Sequence, residues 1–108
     1  MKYDYEIIDG TMTVKLCGEM DHHSAKTLRT EIDAIIEVSR PLSLILDASK
    51  INFCDSSGLG FIMGRYKKIT TYGGTLILKN PSISTQKILI IAGMDKLIKT
   101  EFTRSVNI

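Results

Sequence analysis

Residues 42–79, LSLILDASKINFCDSSGLGFIMGRYKKITTYGGTLILK, set two short apolar runs on either side of a stretch with helical periodicity. The runs, 42–46 and 75–79, are almost wholly apolar and bounded by turn formers, which fits strands buried on both faces. Between them Leu59, Ile62, Met63, Tyr66 and Ile69 recur at steps of three and four, with Arg65, Lys67 and Lys68 on other sides. This predicts an amphipathic helix that Gly73-Gly74 stops. A strand, a helix and a strand in that order, joined by a right-handed crossover, place the two strands parallel in one sheet.

Working outward, residues 3–8 and 12–17 both alternate with period two around Asp9-Gly10, a hairpin signal because both turn residues tolerate positive φ. From Ser24, the positions Ala25, Leu28, Ile32, Ile35, Ile36 and Ser39 mark a first helix, which Arg40-Pro41 ends. Downstream, Asn80-Pro81-Ser82 opens a third helix ending near Gly93, and a weak strand is expected over 98–102. The order β-β-α-β-α-β-α-(β) predicts a single α/β domain over residues 1–108. Its mixed, mostly parallel sheet begins with an antiparallel hairpin and carries helices packed against it. A chain of 108 residues is too short for two independent cores.

Composition narrows the function. Fourteen Lys and Arg against twelve Asp and Glu leave +2, too little to attract nucleic acid or an anionic membrane through bulk charge. The N-terminus lacks a secretory apolar region, and the run ILIIAG at 88–93 falls far short of the roughly 20 residues a membrane span needs. A cytoplasmic protein with no nucleic-acid or membrane partner is expected. Cys17 and Cys54 have neither metal nor CxxC spacing and read as reduced, partly buried thiols. His22 and His23 lack a partner pair at metal-ligand spacing, so neither a metal nor a cofactor is expected.

In a parallel sheet the segments leaving the carboxyl ends of the strands gather along one edge. Residues 18–23, GEMDHH, and 47–57, which end in Asp55-Ser56-Ser57, are therefore expected as neighbouring loops. Asp and Ser are good helix caps, but capping does not require Asp, Ser, Ser and Gly together. Gly60 and Gly64 fit a helix lying close on its sheet. Gly58, Gly60 and Met63 miss the GxGxxG pattern, and GxSxG fails at both serines. A hydrolytic or nucleotide-binding enzyme would pair Ser56 with His22 or His23. In the remaining reading a serine at the helix start receives phosphate from another protein, because free N–H groups and the helix dipole tolerate an anion there. The residues themselves do not choose between Ser56 and Ser57.

GEMDHH, the helix after it, DSSGLGFIMGRYKK at 55–68 and the following Gly-Gly resemble, in order and spacing, the anti-sigma factor antagonists of the STAS fold, sporulation sigma F branch. The resemblance covers most of the chain; residues 3–13 and the segment after Pro81 match loosely. It implies a regulator without catalytic activity of its own, which binds an anti-sigma factor with serine kinase activity and so releases the sigma factor. It implies phosphorylation on Ser56, the first serine after the aspartate, and a separate serine phosphatase that reverses it. Asp21 would support kinase binding, and Asp55, Ser57 and Gly58 would shape the loop. A STAS interaction module that is never phosphorylated is the other non-enzymatic reading.

Overall fold

A computed structural model describes residues 1–103. Its elements run β1 (Lys2–Ile8), β2 (Thr11–Met20), α1 (His22–Ser39), β3 (Ser43–Cys54), α2 (Ser56–Thr71), β4 (Thr75–Lys79), α3 (Ile83–Ile91), a 3-10 turn (Met94–Lys96) and β5 (Lys99–Glu101). β1 and β2 pair antiparallel, with Ile8 opposite Thr11. The two residues between them, Asp9 and Gly10, have φ of 50° and 79°. Positive φ at both central positions matches the right-handed twist of the strands, so the Asp-Gly signal produces the expected hairpin.

β2, β3, β4 and β5 pair parallel in the unreversed order β1-β2-β3-β4-β5. Successive right-handed crossovers in one direction carry their helices to the same face. Burial follows this. Met12, Val14, Leu16, Leu44, Leu46, Ala48, Leu76 and Leu78 are buried on the helix side, whereas the residues alternating with them are half-buried or exposed. The expectation that the apolar strands are buried on both faces is therefore corrected: β3 and β4 are fully covered on one face only.

One row across the open face is made of charges by its register. Asp4, Lys15, Asp47, Lys79 and Glu101 are successive cross-strand partners, so charge alternates in sign across all five strands. Opposite charges facing one another across strands contribute about 0.2–1 kcal/mol per pair. This polar row stands where a doubly covered parallel sheet would carry a second layer of helices.

The α1 stripe is as expected, with Ala25, Leu28, Ile32 and Ile36 buried. α2 departs from expectation: Leu59, Ile62 and Ile69 are buried, but so are Phe61 and Arg65. Arg65, read from the sequence as part of the outer basic face, is only 3% exposed. It lies against α1, with Nε 2.8 Å from Asp33 Oδ1 and Nη2 donating to Asp33 Oδ2 at 3.2 Å. The close Nε contact is misaligned for a hydrogen bond, so it supplies Coulomb attraction without a linear bond. The guanidinium also lies 4.9 Å from the Phe61 ring centre, a cation–π distance.

Both strands that lead to the motifs are longer than their periodicity suggests. β2 continues to Met20 through register shifts at Lys15/Cys17 and Gly18/Glu19, which break strict alternation without ending the pairing. β3 continues to Cys54, although β4 stops opposite Asp47, so its far half pairs with β2 alone and is more polar. Of the predicted loop 47–57 most is strand, and the predicted loop 18–23 is divided between the end of β2, the residue Asp21 and the start of α1. Cys54 is buried, but Cys17, on the open face, is exposed and not partly buried as expected.

Candidate functional site

β2 and β3 end side by side, with Met20 opposite Cys54 as their last pair. The next residue of each strand is an aspartate in extended backbone, Asp21 (φ −99°) and Asp55 (φ −102°), and each caps the helix that follows. Asp21 Oδ1 accepts from the Ser24 N–H at 2.9 Å, and Asp55 Oδ1 accepts from the N–H groups of Ser57 at 2.8 Å and Gly58 at 3.2 Å. An N-cap of this kind is worth about 1 kcal/mol. Two helices therefore start next to each other along one edge, so the neighbourhood predicted for the acidic and hydroxyl segments is observed, though as two caps and not as two loops.

Gly58 makes this junction tight. A Cβ on Gly58 would lie 2.5 Å from Cys54 Sγ and 3.1 Å from Met20 Cγ, so no side chain fits without displacing the Cys54 and Met20 side chains. Gly60 and Gly64, expected to let α2 approach the sheet, do not serve this purpose: a Cβ at either meets nothing within 4 Å. Burial, then the charge of Asp55, pushes the Cys54 thiol up, in keeping with a packed, unreactive role under the helix start.

The two serines separate in this frame. Ser56, the first residue of α2, is exposed, and its hydroxyl has no hydrogen-bond partner among the described residues. Ser57 is half-buried and turns toward α1, with Oγ 3.5 Å from His22 Nδ1. A serine–histidine pair thus exists, but it involves Ser57 and sits at the limit of hydrogen-bond reach. The enzyme expectation, Ser56 activated by His22 or His23, is not assembled. The unreversed sheet order also lacks the switch-point crevice at which doubly wound sheets bind nucleotides.

The Ser57 and Gly58 N–H groups, expected to be free for a phosphate, are already occupied by the Asp55 carboxylate. An anion added at Ser56 would still feel the helix dipole but would find those two N–H groups taken.

The Asp21 cap gives the fold a pH dependence. Hydrogen bonding from Ser24 holds the Asp21 carboxyl below the usual carboxylate range, and bonds from Lys68 and then Tyr72 do the same for Glu37. A pKa lower in the folded than in the unfolded chain contributes stability above the unfolded value of about 4 and loses it as pH falls through the folded value. Unfolding midpoints in urea should therefore fall as pH drops below about 4, and Asp21→Asn should flatten that fall without altering the midpoint trend above pH 6.

Among the described residues no helix is long and apolar enough to cross a membrane. A family model for the STAS domain matches residues 2–107. The chain is 34% identical over 89 residues to an anti-sigma F factor antagonist of Paenibacillus polymyxa, covering 82% of this chain and 76% of that protein. It superimposes with a TM-score of 0.83 and 27% identity on the anti-sigma factor antagonist SpoIIAA in its unphosphorylated form, covering 96% of this chain and 90% of that one. Against the Bacillus cell fate determinant SpoIIAA in its phosphorylated form the TM-score is 0.77 at 27% identity, covering 96% and 93%.

Proposed function

The chain belongs to the STAS-domain family, among its anti-sigma factor antagonists, and from that premise we propose that it binds an anti-sigma factor with serine kinase activity and thereby releases a sporulation sigma factor. Phosphorylation on Ser56 breaks the complex, and a serine phosphatase restores the binding form. The protein has no catalytic activity of its own and acts in the cytoplasm as a single STAS domain over residues 1–108, of which 104–108 lie outside the described residues.

The observation that carries this reading is the exposed Ser56 hydroxyl at the head of α2, without a hydrogen-bond partner among the described residues and beside the Asp55 cap. An incoming kinase can reach it, and its modification leaves the buried junction of Gly58, Cys54 and Met20 untouched. A partner seated here meets about two new negative charges on phosphorylation. One misplaced unit pair at about 6 Å, with an effective dielectric near 20, costs about 3 kcal/mol before screening. Half of that is a tenfold loss of affinity. SpoIIAA has been determined in unphosphorylated and phosphorylated forms, and this chain superimposes on both, with TM-scores of 0.83 and 0.77, which supports a switch of surface without a switch of fold.

The test is to incubate the purified chain with γ-labelled ATP, alone and with a sigma F-type anti-sigma kinase. Label should enter only with the kinase, persist in Ser57→Ala and vanish in Ser56→Ala. Nucleotide turnover by the isolated chain that is lost in Ser56→Ala supports the enzyme reading instead. Binding to the anti-sigma factor with no label transfer supports the constitutive module.

A further inference from the structure

Between the first halves of α1 and α2 lies a groove of about 430 Å³ lined by His22, Ala25, Lys26, Arg29, Ser57, Gly60 and Phe61. It begins at the Ser57–His22 contact and runs along α1, so it is continuous with the edge that carries Ser56. Its lining contains Lys26 and Arg29 and no acid. The larger cavity, about 730 Å³ on the β1 side, differs in this respect, because Asp4, Glu31 and Asp47 balance its Lys2, Lys15 and Lys50.

The acids of α1 do not neutralise the groove. Glu31 accepts from the Tyr3 hydroxyl at 3.0 Å, Asp33 is taken by Arg65, and Glu37 accepts from Lys68 and Tyr72. Among the described residues Lys26 and Arg29 have no acidic partner within 4 Å, and both are exposed. Arg29 also adds its positive charge to the surroundings of buried Arg65. Both helices start at the head of the groove, where the Asp21 and Asp55 carboxylates already cap them, so the positive charge of the groove itself comes from Lys26 and Arg29. Gly60 leaves the wall free of side chain, so the backbone of a docked segment can approach α2 there.

We propose that this groove is a docking site for an acidic segment of the anti-sigma factor, with Lys26 and Arg29 as its charge partners. The inference rests on the reading of the protein as an anti-sigma factor antagonist. It adds a physical account of the switch: a phosphate on Ser56 arrives at the head of the groove with the same sign as the docked segment and competes with it for the same cations.

The test uses the full chain and a sigma F-type anti-sigma kinase, comparing wild type, Lys26→Glu/Arg29→Glu, Lys26→Gln/Arg29→Gln and, as an exposed α2 cation outside the groove, Lys67→Glu. Affinities are measured at 50 and 300 mM salt, with thermal unfolding confirming that each variant folds. The double reversal should weaken binding at least thirtyfold at low salt and the double glutamine about tenfold. Both should show a shallower salt dependence than wild type, with Lys67→Glu within threefold of it. Wild-type binding with unchanged affinity and salt dependence in both double variants overturns the groove and leaves the antagonist reading standing. An equal loss in Lys67→Glu also overturns it, since the effect is then one of net charge. Absence of binding by folded wild type overturns the antagonist reading and the groove with it.

Discussion

Replacing Asp33 by alanine is expected to destabilise the protein by about 3 kcal/mol, more than replacing its partner Arg65 by methionine, which should cost about 1 kcal/mol. The asymmetry follows from where the two charges sit. The Arg65 side chain is 4% exposed, whereas that of Asp33 is 31% exposed. Removing Asp33 strands a guanidinium between two helices, with its Nη1 already lacking a partner among the described residues. Burial acts against the charged form of Arg65, and the neighbouring charge of Asp33 offsets it. Arg65→Met removes the buried charge, keeps most of the volume against Phe61 and leaves a carboxylate whose side chain is 31% exposed, although its Oδ1 is buried. Urea unfolding of the two variants decides the matter. If Arg65→Met proves the less stable, the guanidinium is solvated in the native protein and the account of the α1–α2 contact is wrong.

Ser56→Asp is expected to lower affinity for the anti-sigma factor about tenfold, and full phosphorylation of Ser56 about a hundredfold or more. Ser56→Ala should bind within threefold of wild type. The order reflects charge: aspartate brings one negative charge to the head of α2 and phosphate close to two, beside Asp55 and Asp21, which already carry that sign. Each tenfold step is about 1.4 kcal/mol, half of one unscreened pair interaction at this edge. Titration calorimetry with the partner measures all three. Ser57 lines the groove beside His22, so Ser57→Asp should also weaken binding there, and label transfer to Ser57→Ala and Ser56→Ala decides the phosphoacceptor. If Ser56→Asp leaves affinity unchanged, negative charge at the head of α2 is not the switch. In either outcome thermal unfolding of Ser56→Asp should stay near wild type, because Ser56 is exposed and outside the packed junction under α2.

Both expectations depend on features that differ in how visible they are in the chain itself. The Ser-Ser-Gly motif and the aspartate before it are contiguous, so their capping chemistry could be read directly. That the segments holding Asp21 and Asp55 lie side by side followed from parallel strand topology, whereas their roles as caps of adjacent helices came from the structure. Which serine faces out could not be read from spacing, because consecutive residues in a first helical turn differ only in direction. The family resemblance favoured Ser56, and the geometry separately leaves that hydroxyl free. The orientation of Arg65 was misread because a basic residue near Lys67 and Lys68 fits an outer helix face. Its burial depends on Asp33, 32 residues earlier in another helix.

The order of elements, the hairpin at Asp9-Gly10, the apolar stripe of α1 and the capping chemistry at the start of α2 are properties of the sequence by itself, because each arises from interactions among residues a few positions apart. Tertiary structure decided the length of β2 and β3, the single covered face of the sheet, the inward Arg65 and the close approach of Gly58 to Cys54. Those features depend on register and packing between segments distant in the chain. Local periodicity carries no record of which partner a strand end or side chain will meet.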